Sequence, residues 1–93
     1  MLRINIRNEK GHTTFRLEGR LAEAWVAELR RCYDEASQTS PHLVIDLDDV
    51  TFIDEAGSTL LGEMSRHGVL LVATDPLMKS IIHELSIRKE RTP

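Results

Sequence analysis

A continuous apolar segment, Leu43–Ile45, constrains the fold of this chain more than any other feature. Consecutive aliphatic residues, two of them β-branched, are typical of a strand that is buried on both faces. Several acidic residues follow, and for them we predict a tight turn. The apolar pair Phe52 and Ile53 comes next, and we expect it to bury this turn.

A helix is predicted directly after the acidic residues. Asp54 stands where a helix N-cap belongs, and Glu55 places a negative charge near the positive end of the helix dipole. Gly57 lets the first helical turn pass close to another part of the chain. Gly68 is predicted to end the helix as its C′ residue. The expected buried face consists of Ala56, Leu60, Leu61 and Met64.

Hydrophobic periodicity predicts the remaining elements. Polar and apolar residues alternate over residues 2–7 and 14–18, which indicates an antiparallel pair of half-buried strands ending at Gly19. A helix is expected over Ala22–Ser37, with a buried face made of Ala22, Trp25, Val26, Leu29, Cys32, Tyr33 and Ala36. Val69–Ala73 is predicted to be a second strand buried on both faces.

A third helix is predicted to begin at Asp75-Pro76, with Asp75 as N-cap and Pro76 at the first helical position. Its expected buried face consists of Leu77, Met78, Ile81, Ile82 and Leu85. The charged tail Arg88–Pro93 is expected to fray. The order is therefore ββαβαβα, an α/β fold with a small mixed sheet, packed helices and right-handed crossovers.

Length and composition fit one domain over residues 1–93 with an ordinary aliphatic core. The net charge of −3 argues against nucleic acid as a partner. The single Cys32 cannot form an internal disulfide, so we expect a cytoplasmic protein. We also find no signal peptide and no apolar run near the ~20 residues that span a membrane, so direct membrane insertion is not expected.

The sequence DLDDVTFIDEAG, residues 46–57, resembles the signature of the STAS domain, a family that includes bacterial anti-sigma-factor antagonists. The matching residues are Asp46, Leu47, Val50, Phe52, Ile53, Asp54, Ala56 and Gly57, and Gly19 with Leu21 fits a further family position. The resemblance implies the same ββαβαβα fold over nearly the whole chain. It also implies a non-enzymatic module that binds a protein partner through residues 54–59, which are Asp54, Glu55, Ala56, Gly57, Ser58 and Thr59.

One position departs from the family pattern. The residue after the aspartate is a phosphorylated Ser or Thr in the family, and here it is Glu55, which cannot accept phosphate. Two interpretations follow: Glu55 imitates the phosphorylated state, or the protein belongs to a branch that never used this switch. Ser58 and Thr59 are the candidate substitute phosphoacceptors, although a Ser early in a helix is more often a local hydrogen bonder.

The resemblance leaves two kinds of partner open. For a typical antagonist the partner is a histidine-kinase-like anti-sigma factor, and the acidic residues would steer its approach. Single-domain STAS proteins also resemble accessory subunits of bacterial lipid-transport ABC complexes, where the partner is the ABC transporter ATPase. A signalling scaffold is a further alternative.

An enzyme is the least favoured alternative. Five carboxylates lie within ten residues, but no nucleophile, base and oxyanion site can be assembled around them. Clustered carboxylates can bind a hard cation such as Mg²⁺, but their spacing matches no calcium-binding loop, and a solvated acidic patch that meets a basic partner is favoured. The histidines at positions 12, 42, 67 and 83 form no ligand pair. Cys32 falls on a buried helix face, which favours a structural thiol. We therefore expect no metal, no cofactor and no catalytic residue.

Overall fold

The computed structural model describes the backbone of residues 1–91 and the side chains of residues 1–85. Its elements are β1 (Leu2–Glu9), β2 (His12–Leu21), α1 (Ala24–Ser37), β3 (His42–Ile53), α2 (Glu55–Arg66), β4 (Leu70–Val72) and α3 (Pro76–Arg91). The predicted order ββαβαβα is confirmed. Helix α3 extends to Arg91 and so includes the start of the tail that was predicted to fray from Arg88, while Thr92 and Pro93 lie outside the described residues.

The strands form one sheet in the order β1-β2-β3-β4. β1 and β2 make an antiparallel hairpin that is closed by a short turn, in which Gly11 has φ +87°. β2, β3 and β4 run parallel, because a helix connects each of them to the next. The mixed sheet that the sequence predicted is therefore present.

The helices cover one face of this sheet. Phe15, Leu17, Ile45 and Leu47 are fully buried beneath them, and their neighbours along each strand point the other way. We call this second surface the open face; it carries Arg16, Glu18, Asp46 and Leu70 among others. The prediction that β3 and β4 are buried on both faces is wrong. Leu70 of β4 is 58% exposed, and its partner Val44 of β3 is only half-buried.

β3 is one continuous strand, so the predicted acidic turn is also wrong. Its 12 residues pair with the 10 residues of β2 because β3 contains two bulges. Arg16 pairs with Asp46, but two residues later Glu18 pairs with Asp49, so β3 contains one extra residue here. In the same way Gly19 pairs with Val50, but the next residue, Arg20, pairs with Phe52. Asp48 and Thr51 are the extra residues, and each one shifts the alternation of side chains along the strand.

Both bulges are held by local hydrogen bonds. The Asp48 backbone N–H donates to Asp46 Oδ1 at 3.0 Å, and the Thr51 hydroxyl donates to the Gly19 carbonyl at 3.2 Å. The second bulge turns Phe52 onto the open face, where 43% of it is exposed and Arg20 lies 4.3 Å from the ring centroid. Phe52 therefore buries no loop, contrary to the prediction, whereas Ile53 is partly buried against the core.

Helix α1 differs from its prediction at the N-terminus. It begins at Ala24, two residues later than predicted, because Glu23 has φ +56° and ψ −128°, which no helix can include. Trp25 lies in this first turn, 37% exposed and outside the core cluster, so its predicted place on the buried face is wrong. Leu29 is the fully buried residue of the helix.

The ends of the other helices agree with the sequence. The backbone N–H of Met78 donates to Asp75 Oδ2 at 3.0 Å, which confirms Asp75 as N-cap of α3. The N–H of Gly68, which has φ +92°, donates to Ser65 O, and the N–H of Val69 donates to Met64 O. This is a Schellman ending, and it confirms Gly68 as the C′ residue of α2. On α3, Leu77 is 70% exposed and does not belong to the buried face as predicted.

Candidate functional site

The N-termini of α1 and α2 meet at the side chain of Asp54. Asp54 Oδ1 accepts a hydrogen bond from the Gly57 backbone N–H at 2.8 Å, which is the predicted N-cap of α2. Its second oxygen, Oδ2, accepts one from the backbone N–H of Glu23 at 2.9 Å. Glu23 is the N-cap residue of α1, and its own side chain makes no capping bond. One carboxylate therefore serves both helix starts.

These hydrogen bonds stabilise the ionised carboxylate. The N–H of Glu23 contributes most and the N–H of Gly57 comes second, and together they lower the pKa of Asp54 below its ordinary value. The positive charge of Arg20 acts in the same direction. At neutral pH Asp54 is a charged anchor for two backbone donors.

The chain reaches this anchor through a strained backbone. Glu23 is the single non-glycine residue with positive φ in the described part of the chain. Such a conformation costs free energy in a residue with a Cβ atom, and it persists when its surroundings compensate. The hydrogen bond from Glu23 N–H to Asp54 Oδ2 is one such compensation.

Gly57 brings α2 against the end of β2. A Cβ atom at this position would lie 2.7 Å from the Leu21 carbonyl oxygen, 3.0 Å from Leu21 Cγ and 3.1 Å from Ile53 Cγ2. The close approach predicted from the sequence is confirmed, and its partner is the backbone of Leu21. The Asp54 N–H also donates to the Leu21 carbonyl, at 3.2 Å, so the whole α2 start is fixed on β2.

The six residues predicted to bind a partner differ in their exposure. Glu55, Ala56 and Thr59 are exposed, Asp54 and Ser58 are half-buried, and Gly57 is buried. We call the exposed residues Glu55, Ala56 and Thr59 the α2 surface. The Ser58 N–H donates to Asp54 O at 2.9 Å, and its side chain lines a shallow groove with Thr59, Gly62, Arg66 and Leu85.

Two neighbouring features were missed by the sequence reasoning. Glu23 enters the site through its backbone, and no signal in the sequence marks a strained residue that is not glycine. The exposed Arg20–Phe52 pair lies one register position before Leu21–Ile53 and so borders the α2 start. The bulge at Thr51 placed Phe52 there, and alternation alone would have assigned it to the other face.

The other acidic residues of β3 have separate structural roles. Asp48 Oδ1 accepts hydrogen bonds from Thr74 N–H, from the Thr74 hydroxyl at 3.1 Å and from Asp75 N–H at 3.3 Å, which lowers the pKa of Asp48. Asp49 pairs with Arg16 across the open face, with Arg16 Nε 3.0 Å from Asp49 Oδ2. Among the described residues, no group of three His, Cys, Asp or Glu side chains is arranged to hold a metal ion.

Cys32 lies partly buried against the core on α1, and burial is the main cause that raises the pKa of its thiol. A raised pKa reduces the thiolate fraction at neutral pH, so this environment does not activate a nucleophile. No helix of the described chain combines the length and the apolar composition needed to cross a membrane.

Comparison with known proteins gives the same fold. A profile of the STAS domain matches residues 3–89. An anti-sigma factor antagonist from Mycobacterium paratuberculosis has a TM-score of 0.78 and 21% identity, covering 97% of this chain and 82% of that one. The unphosphorylated anti-sigma factor antagonist SpoIIAA has a TM-score of 0.67 and 19% identity, covering 98% and 100%. At these identities the structural likeness shows the fold alone.

A third structure, an uncharacterized protein with a SpoIIAA-like fold from Shewanella loihica, has a TM-score of 0.61 and 12% identity, and the alignment covers 99% of this chain and 80% of that chain. No protein of curated function matches the sequence.

Proposed function

This chain belongs to the STAS domain family, and from that premise we propose that it is a non-enzymatic module that binds a protein partner in the manner of an anti-sigma-factor antagonist. The partner would be a histidine-kinase-like anti-sigma factor in a bacterial cytoplasm. The contact would be made by the start of α2, which the family resemblance assigns to residues 54–59. The two antagonist structures of the same fold support this kind of function.

The exposed carboxylate of Glu55 is the observation that carries the proposal. Both oxygens of Asp54 are engaged by backbone N–H groups of the chain itself, so Asp54 holds the site together. Glu55 follows it as the first residue of α2, exposed to solvent. A partner that approaches the α2 surface therefore meets the charge of Glu55 before that of Asp54.

Glu55 fixes the charge at the position where the family alters it. Phosphate on a hydroxyl there would add about −1.5 to −2 charges and three acceptor oxygens. Glu55 supplies about −1 at all times and accepts no phosphate. We therefore propose that partner choice in this protein is permanent, set by Glu55, and is not reversed by phosphorylation at this position.

A binding experiment with position 55 variants tests this proposal. Wild type, Glu55→Ser and Glu55→Gln would be used to capture partners from the native host, with identification by mass spectrometry. We expect a histidine-kinase-like ATPase whose binding changes in both variants, because both remove the charge. Glu84→Ser, which removes an exposed carboxylate from α3, is the matched control and should bind as wild type does.

The same variants separate the alternatives. Phosphorylation of Glu55→Ser by the captured kinase would show that the surrounding site is still recognised. Capture of an ABC transporter ATPase by all forms equally would contradict the proposal and favour an accessory subunit of a lipid-transport complex. Equal binding of a kinase-like ATPase by all variants would leave the partner correct and the role of Glu55 wrong.

A further inference from the structure

The outer edge of β1 is long and regular. In the described chain β1 pairs with β2 alone, so one side of its backbone has no strand partner. Proteins usually protect such an edge with a proline, a bulge, a short strand, charged side chains or a charge that points toward the core, and of these β1 has only the exposed charges of Arg3, Arg7 and Glu9. The eight residues of β1 contain no proline and pair with β2 without a bulge. β4, at the opposite edge, has three residues.

The backbone groups of this edge alternate in a defined way. The Arg20 N–H donates to the Met1 carbonyl at 3.0 Å, so odd-numbered residues of β1 exchange hydrogen bonds with β2. Even-numbered residues therefore direct their N–H and C=O groups away from β2, toward the open edge of the sheet. Ile6 lies among them and is 52% exposed. These are the groups that a further antiparallel strand would use.

The side chains of β1 are complementary to one such strand, which is β1 of a second copy of this chain. When two copies are paired antiparallel about an axis through Ile6, Arg3 lies opposite Glu9 of the second copy, and the pair occurs twice. Arg7 lies opposite Asn5, and Ile6 meets its own copy. Arg3 and Glu9 are both exposed on the open face, at positions without backbone bonds across the new edge, where opposite side chains come closest.

Neighbouring registers are less favourable. An axis through Asn5 places Arg3 opposite Arg7 twice, and an axis through Arg7 places Arg7 opposite itself. An axis through Ile4 forms no ion pair and shortens the overlap. Shifts by a single residue would place core-side residues opposite open-face residues, which the pleat does not allow. An axis through Asn8 places Arg7 opposite Glu9 twice, but only residues 7–9 of the two strands then overlap. The axis through Ile6 forms two ion pairs and also keeps residues 3–9 paired, so it is the favoured symmetric register.

We propose that two copies of this chain associate through β1, antiparallel and centred on Ile6, to form a continuous eight-stranded sheet. The occupant of the edge is a second copy because the complementary charges lie on the same strand, as the two-fold symmetry of a homodimer requires. The proposal uses no residue of the α2 surface, so it is independent of the proposed function.

Charge reversal at the two residues tests the pairing. We expect wild type to sediment as a dimer in analytical ultracentrifugation at concentrations up to about 1 mM, the range in which weak specific contacts are detected. In a dimer of the Arg3→Glu variant, the new Glu at position 3 faces Glu9 of the second copy at both pairs. In a dimer of the Glu9→Arg variant, the new Arg at position 9 faces Arg3 at both pairs. Each variant alone should raise the dimer dissociation constant at least about tenfold.

Mixing the two variants is the decisive step. In a mixed dimer Glu at position 3 of one copy faces Arg at position 9 of the other, and the second pair is Arg3 with Glu9 as in the wild type. The mixture should dimerise with a dissociation constant within about threefold of wild type, because both pairs are attractive again. An effect of either substitution on the fold of its own chain could not be reversed by adding the other variant.

Lys79→Glu, the same reversal at an exposed position of α3, is the control and should leave the dimer unchanged. A wild type that remains monomeric over the whole concentration range would overturn the proposal. A dimer that persists in both single variants, or a mixture that stays monomeric, would overturn it as well.

Discussion

The backbone N–H of Glu23 lies 2.9 Å from Asp54 Oδ2, across 31 residues of sequence, and this bond joins the start of one helix to the start of another. The same carboxylate caps α2 through Gly57. The first role of Asp54 is therefore to hold the two helix N-termini together. A binding defect in an Asp54 variant would reflect a change in this local structure, whereas Glu55 variants test recognition of the partner directly.

The lowered pKa of Asp54 predicts how acid affects stability. A carboxylate whose pKa is lower in the folded state stabilises the fold at pH values above its unfolded pKa of about 3.9. The stabilisation is lost as the pH falls through the lower, folded value. Asp54→Asn retains a capping oxygen but not the charge, so it should be less stable than wild type at neutral pH.

Thermal unfolding between about pH 2 and pH 7 measures this difference, because the aspartate of the unfolded chain, with a pKa of about 3.9, changes its charge within that interval. The melting temperatures of wild type and Asp54→Asn should converge as the pH falls below about 4. Asp34→Asn, at an exposed position of α1, should remain close to wild type throughout. A gap between wild type and Asp54→Asn that stays constant with pH would exclude the charge of Asp54 as its origin.

Two glycines of α2 predict opposite responses to alanine. Gly57→Ala would place a Cβ atom 2.7 Å from the Leu21 carbonyl oxygen, and we expect a loss of about 1–3 kcal/mol in the free energy of unfolding. At Gly62 the nearest atoms to an added Cβ are Arg66 Nη1 at 3.8 Å and Leu85 Cδ2 at 3.9 Å, which are ordinary contacts.

Gly62→Ala should therefore increase the free energy of unfolding by about 0.5–1 kcal/mol, through helix propensity alone. Urea denaturation of both variants gives the comparison. The helix and the substitution are the same, so opposite signs isolate the close approach at Gly57. Equal gains in both variants would mean that α2 can move away from β2 without cost.

Trp25 and Leu29 are predicted to contribute unequally to stability. Leu29 is fully buried, and Leu29→Ala should cost about 2–5 kcal/mol in the free energy of unfolding. Trp25 is 37% exposed and outside the core cluster, so Trp25→Ala should cost about 1–2 kcal/mol. Chemical denaturation measures both. A larger loss for Trp25→Ala than for Leu29→Ala would place the tryptophan in the core after all.

The sequence could predict the fold because local signals and long-range packing agree in most of the chain. Alternation predicted the β1–β2 hairpin, and the caps at Asp54, Asp75 and Gly68 predicted helix ends that the structure confirms. The identity of Asp54 as an N-cap could be read from its position. Its second bond to Glu23 could not, because it depends on a tertiary contact.

The errors cluster where the backbone departs from regular geometry. Acidic residues in β3 suggested a turn, but the bulges at Asp48 and Thr51 keep them in the strand and turn Phe52 outward. Because Glu23 has a positive φ, α1 begins only at Ala24, and Trp25 lies exposed in its first turn. Bulges and strain depend on the neighbouring strand and helix, which periodicity along one segment does not include.

The bulges of β3 also affect the shape of the sheet. A bulge bends its strand and increases the local right-handed twist, and β3 has two of them within the few residues before Asp54. Both bulges lie shortly before Asp54, so the bending and added twist that a bulge produces fall at the end of the sheet where α1 and α2 begin.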